Sequence, residues 1–207
     1  MQVKQKVTGT TLVFLLLTAC IPSAQPPTAE TTATATPTRS APASPSTTIW
    51  QADGKVSDGE YAHQTTVGDV RVWWGNDAQY LYLAMEAPTT GWVSLGLDPQ
   101  NRMQGANFIF GMVVDGQAQI WDAYGVGPTG PHPADVDLGG TSDIVAYGGI
   151  EENGVTRFEV QIPLDSGDRY DRPLRRGQRY KMITAVGTAD DFDARHSSRA
   201  TGEITLD

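Results

Sequence analysis

The chain has 207 residues, 39% of them hydrophobic and 19% charged, and a formal charge of −9. The acidic balance argues against nucleic acid and anionic lipid headgroups as partners, since both are polyanions. Its one cysteine, Cys20, leaves no thiol for an internal disulfide, for covalent c-type haem attachment, for an iron–sulfur cluster or for a blue-copper site.

Residues 1–19 read as a signal peptide. Lys4 and Lys6 supply a positive start, and Thr11 to Leu17 is an apolar run too short to span a bilayer, which takes about 20 apolar residues. The run closes on Leu17-Thr18-Ala19-Cys20, which resembles the lipobox of bacterial lipoproteins. That resemblance implies a mature chain beginning at Cys20 and attached by its acyl chains to a membrane. Two or more such chains anchor firmly. Ile21 stands where an aspartate would favour inner-membrane retention, so an outer-membrane location is expected in a Gram-negative host. Residues 20–48 are rich in Pro, Thr, Ala and Ser and have too little apolar bulk to offset their ordering entropy, so they read as a disordered tether.

Residues 49–207 read as one all-β domain. Val70 to Trp74 and Tyr80 to Met85 flank a Gly75-Asn76-Asp77 turn signal. Gly91 to Leu97 alternates between two faces. Asn107 to Val114 is a continuous apolar run ending at Asp115-Gly116, a hairpin signal, and Gln117 to Asp122 returns. Ile144 to Ile150, Thr156 to Pro163, Tyr180 to Gly187 and Gly202 to Leu206 supply further strands. No intervening segment has a sustained helical period, although Asp165 to Gly177 has room for a short helical turn. Tyr124 to Gly140 reads as a long loop, expected at a mouth of the sandwich. The pattern predicts an immunoglobulin-like two-sheet β-sandwich.

At this level a family resemblance emerges. Asp53-Gly54-Lys55-Val56-Ser57-Asp58-Gly59-Glu60-Tyr61, Leu81-Tyr82-Leu83, Gly91 to Leu97, Met103-Gln104-Gly105-Ala106-Asn107, Ile120-Trp121-Asp122 and a C-terminal His196 with Arg199 and Gly202 together resemble the DOMON superfamily. The likeness is to its haem-binding branch, similar to the cytochrome domain of cellobiose dehydrogenase. It implies a noncovalent haem b whose iron is held axially by Met103 and His196, with Trp92, Phe108, Phe110 and Trp121 available as walls. A thioether and an imidazole on opposite faces of a haem favour electron transfer over oxygen activation. Asn107 stands where the family commonly has aspartate. The opening motif is shared with carbohydrate-binding sandwiches and speaks for fold more than ligand.

The function expected on this basis is an extracytoplasmic, lipid-anchored b-type cytochrome that exchanges electrons with a redox partner protein. No catalytic constellation is evident, so no enzymatic activity is expected. Two other functions compete. The first is a non-haem carbohydrate- or small-ligand-binding module, with calcium held in acidic loops at Asp135, Asp137 and Asp143. The second is a copper site built from Met103, His196 and His132. Met85, Met112 and Met182 are expected to be core fillers. His63 and His132 are expected to be surface or internally satisfied residues.

Overall fold

Pleated strands point successive side chains to opposite faces, so each strand's burial pattern reveals what covers its two sides. The computed structural model describes residues 49–207. The signal peptide, Cys20 and the tether lie outside the described residues. No helix among the described residues is long and apolar enough to cross a membrane.

Ten strands follow in order: β1 (His63–Val67), β2 (Val70–Asn76), β3 (Tyr80–Ala87), β4 (Val93–Leu97), β5 (Asn107–Val114), β6 (Gln117–Tyr124), β7 (Ala146–Glu152), β8 (Val155–Pro163), β9 (Arg179–Val186) and β10 (Ser198–Thr205). They form two antiparallel five-stranded sheets, ordered β1-β2-β3-β8-β7 and β10-β9-β4-β5-β6. This is the expected two-sheet sandwich. Between the sheets, Leu81, Leu83, Met85, Phe158 and Val160 pack with Val93, Leu95, Ile109, Met182 and Ile204 in one core. Gly111 admits the Phe158 ring, which lies 2.4 Å from where a Cβ would stand.

Three details differ from expectation. β1, His63-Gln64-Thr65-Thr66-Val67, is largely polar and carries no strand signal of its own; its pairing with β2 makes it a strand. β10 begins at Ser198 rather than Gly202, since it pairs with β9 from Ser198↔Val186 to Thr205↔Arg179. The 165–177 connection contains no helical turn, and the one helical segment in the described domain is a 3₁₀ turn, Asp135–Leu138, inside the long loop.

The opening motif has a structural anchor. Glu159 on β8 is fully buried. Its Oε2 accepts hydrogen bonds from the backbone N–H groups of Asp53, Gly54 and Lys55 at 3.0, 2.7 and 3.2 Å. Its Oε1 accepts from the Tyr61 hydroxyl at 2.7 Å. Gly54 has φ 77°, and a Cβ there would stand 2.8 Å from the Ile150 nitrogen, so the motif's glycine is required by both backbone conformation and space. Burial pushes the Glu159 carboxyl up to about 7, against the lowering effect of the hydrogen bonds it accepts.

Glu159→Ala leaves the Gly54 N–H without an acceptor, whereas the Asp53 N–H also reaches the Gln51 carbonyl at 3.0 Å and the Lys55 N–H the Asp53 carboxylate at 2.8 Å. At about 1–3 kcal/mol for a buried donor left unsatisfied, urea unfolding should show a loss in that range; a loss below about 1 kcal/mol would mean that water takes over the loop. The raised Glu159 value also fixes a sign. The folded state holds this proton more tightly than the unfolded chain does, so Glu159 contributes most below the ordinary value of 4.5, and that contribution is lost as pH rises through about 7. Unfolding free energies measured from pH 5 to 8 should fall with pH, and Glu159→Gln should flatten the slope.

Candidate functional site

The second sheet has an apolar outer face as well as an apolar inner one. On β5, Ile109 and Val113 are buried on one side, while Phe108, Phe110 and Met112 are buried on the other with Trp92, Ala106, Ala123, Ile183 and Ala185. Met103, Trp121 and Phe192 pack against this second cluster. The register places Gly96 opposite Phe108, and Ser94 opposite both Phe110 and Ala185. A Cβ on Gly96 would stand 2.3 Å from the Phe108 ring. Small residues on β4 thus leave a trough in which the β5 aromatics lie.

Over this face lies a cavity of about 1230 Å³, at the upper end of or beyond the roughly 300–1,000 Å³ of ordinary small-molecule pockets. Three loops complete its walls: the β4–β5 connection, residues 128–132, and residues 192–196. Met103, His196, Trp92, Phe108 and Trp121, the five residues singled out from the sequence, all line it, as does Phe110. The long loop therefore covers the outer face of one sheet rather than an end of the sandwich.

Met103 is held by its backbone. Gln104 donates to the Asn101 carbonyl at 3.0 Å and Ala106 to the Met103 carbonyl at 3.2 Å, closing a tight turn in which Arg102 adopts φ 55° and Gly105 φ 80°. The turn is tied to the start of the long loop, with Gly105 N–H donating to Gly125 O at 2.8 Å and Gly125 N–H to Ala106 O at 2.9 Å. Gly125 has no room for a side chain, since a Cβ would fall 1.9 Å from the Met103 carbonyl oxygen.

His196 sits one residue before the clamp that starts β10, where Ser197 donates to the Val186 carbonyl through its N–H at 2.7 Å and its hydroxyl at 3.0 Å. Arg199 Nη1 lies 3.5 Å from His196 Nε2. Burial, followed by the charges of Arg199 and Arg195, lowers the His196 pKa and favours the neutral imidazole. His132 also lines the cavity, contrary to the surface or satisfied role expected for it. Its ring meets Phe108 edge-on with centroids 4.4 Å apart, and burial, then the neighbouring His196, lowers its pKa. His63 is elsewhere, stacked on Trp74 and 2.9 Å from the Asp207 carboxylate. Met85 and Met182 lie in the inner core, as expected, while Met112 belongs to the outer cluster.

The cavity's charge was not legible in the sequence. Arg102, Lys181, Arg195 and Arg199 line it together with only Asp193 and Glu203, in a chain whose overall charge is negative. Arg102 comes from the β4–β5 loop, Lys181 from β9, Arg195 from the loop before β10 and Arg199 from β10, and only the tertiary structure brings them to one rim.

A two-sheet β-sandwich with an aromatic, cation-rimmed cavity on the outside of one sheet defines the class of molecule. The chain belongs to the DOMON domain family, whose model matches residues 66–187, more than half of its length. Solved structures similar to it include the cytochrome b domain of pyranose dehydrogenase from Coprinopsis cinerea, 16% identical over 66% of this chain and 76% of that one, with a TM-score of 0.46. Another is the cytochrome domain of Myriococcum thermophilum cellobiose dehydrogenase, 6% identical over 67% and 75%, with a TM-score of 0.47. A third is a family 9 carbohydrate binding module from Caldicellulosiruptor kristjanssonii in complex with glucose, 15% identical over 77% and 92%, with a TM-score of 0.40.

Gly125→Ala tests the seat of Met103 without replacing a cavity side chain, although its Cβ would also stand 3.3 Å from the Phe108 ring. The added methyl forces the loop and the Met103 turn apart, at an expected cost of about 1–3 kcal/mol in urea unfolding. Wild-type stability in this variant would show that the two segments are not pressed together.

Proposed function

We propose that this protein is a b-type cytochrome that binds one noncovalent haem in the cavity on the outer face of the second sheet and passes single electrons. The observation that carries this reading is that Met103 and His196, a thioether and an imidazole 93 positions apart, line one cavity whose floor is aromatic. The residues present fit the group. Phe108, Phe110, Trp92 and Trp121 offer flat apolar contact to a macrocycle, and the cationic rim suits its two carboxylates. Held by Met103 and His196, the group would supply one-electron redox chemistry.

The chain's own residues have separable tasks in this scheme. The Met103 turn presents a soft neutral donor from a backbone pinned by Gly105 and Gly125. Burial and the flanking arginines keep His196 neutral and able to donate its lone pair. Arg102, Lys181, Arg195 and Arg199 hold negative charge at the rim. With both residues as ligands, the group would be left to electron transfer rather than to substrate binding at the metal. By the lipobox reading, Cys20 carries the lipid, and the protein works outside the cytoplasm on a membrane surface, an outer membrane where the host has one, with a redox protein as partner. Cys20→Ser should then move the protein from the membrane to the soluble fraction of a bacterial host.

The deciding experiment is an absorption spectrum of the full-length protein, exported and purified with haem supplied, before and after dithionite. A sharp Soret band with resolved α and β bands on reduction is expected. Met103→Ala should lower the reduction potential and admit exogenous ligands such as imidazole; His196→Ala should lose haem more readily, because imidazole is the stronger donor. Wild-type spectra in both variants would refute the ligand assignment. A folded protein that takes up no haem would turn the reading to a carbohydrate- or small-ligand-binding module, for which Trp92 and Trp121 already supply aromatic lining.

A further inference from the structure

The reverse side of the same sheet carries a feature that the cavity does not use. On β5 and β6, Asn107 and Asp122 alternate in the pleat with the cavity-lining Phe108 and Trp121. Asp135, which opens the 3₁₀ turn, and Asp171, in the β8–β9 connection, join them. One carboxylate oxygen from each of Asp122, Asp135 and Asp171 lies within 4.8 Å of the others. Oxygens bound to a single calcium at 2.3–2.6 Å stand at most about 5 Å apart, so the three can share one ion.

Acidic clusters are common and carry little weight alone. Here the second observation is a set of buried acceptors without partners. Asp135 is wholly buried, and neither of its carboxylate oxygens accepts a hydrogen bond from any described residue. The same is true of the Asn107 side-chain oxygen and of Asp122 Oδ1, in residues 6% and 5% exposed. The Asn107 amide nitrogen donates to Asp171 Oδ1, which places the amide within the cluster. Asn107, Asp122, Asp143 and Asp171 also line a cavity of about 10 Å³, room for one atom-sized occupant. Arg172 borders that cavity, but its guanidinium is paired with Asp98 at 3.0 Å.

We propose that Asp122, Asp135, Asp171 and the side-chain oxygen of Asn107 bind a divalent cation, calcium by its all-oxygen ligand set. No thiolate or imidazole is in the set, which disfavours zinc and copper. Magnesium holds its waters more tightly and demands near-ideal octahedral geometry, which suits a buried protein-only cage less well. Protonation is the competing way to keep these groups buried. Burial pushes Asp135 up to about 8 and Asp122 up to about 7. A single proton serves one pair of these oxygens, whereas a cation draws one oxygen from each of the three carboxylates at once. Of the acidic residues named from the sequence as calcium candidates, only Asp135 is in the set; Asp137 is exposed, and Asp143 contributes its backbone N–H to Asp122 Oδ2 at 2.8 Å.

The site has a structural consequence. Asp135 lies three residues beyond His132, and Ala134 between them bridges to Ala123 on β6. A cation at Asp135 therefore staples the loop whose residues 128–132 wall the larger cavity. The proposal does not depend on what that cavity binds.

The test is a calcium titration of the full-length protein after chelator treatment and removal of the chelator, followed by isothermal titration and by thermal melting, with and without haem. One equivalent should bind and raise the melting temperature, and magnesium at equal concentration should do much less. Asp135→Asn and Asp171→Asn should each weaken binding at least tenfold, whatever they do to the calcium-free melting point. Absence of bound calcium in folded wild-type protein overturns the proposal, as does binding that both variants retain. An equal response to magnesium overturns the assignment to calcium. A failure to take up haem, with calcium binding intact, refutes the haem reading alone.

Discussion

The structure depends on one sheet being buried on both of its faces. An antiparallel sheet in a sandwich ordinarily packs one face and wets the other. The β10-β9-β4-β5-β6 sheet instead turns Ile109 and Met182 toward the partner sheet, and Phe108, Phe110 and Ile183 away from it. Burying those outer aromatics requires a cover, and the three long connections supply it. The cavity is the space that the cover leaves over the aromatic face. A single property of the strand, its two-residue period, thus creates both a core and a site.

The cover also sets the chemistry. Its loops carry the residues that strands could not place there: Met103 on a turn locked by glycines, His196 beside the β10 clamp, and His132 against Phe108. With Lys181 on β9 and Arg199 on β10 they bring four cations to one rim of an acidic protein, so the local field opposes the global one. Long-range charge repels polyanions, while the rim favours a small anionic ligand at short range.

Buried carboxylates perform the complementary task on the far side. Glu159 draws the opening loop onto the first sheet through three backbone N–H groups, much as an anion gathers the donors of a nest. Asp122 and Asp135 sit behind the second sheet, at the base of the loop that walls the cavity. Loops that are polar in sequence are in this way held at a few deep ionisable points rather than by apolar packing.

How much was legible follows from the range of each interaction. Strand order along the chain, the turn at Asp115-Gly116 and the doubly apolar character of β5 are local patterns, and they gave the all-β class directly. Family resemblance, rather than any pattern of spacing, singled out Met103 and His196, and Trp92, Phe108 and Trp121 followed as available walls; the fold brings all five to one cavity. His132, between two prolines, carries no local signal that separates a surface or satisfied residue from a cavity-lining one. Asp122, Asp171 and Asn107 gave no sign of a cluster because they are far apart in sequence, and β1 gave none because its polar residues become a strand only by pairing with β2. The sequence by itself determined the periodicity, and with it which residues share a face. The tertiary structure alone decided which face a loop covers and which distant charges meet, because those contacts are set by sheet register and loop closure between segments that no short stretch of chain encodes.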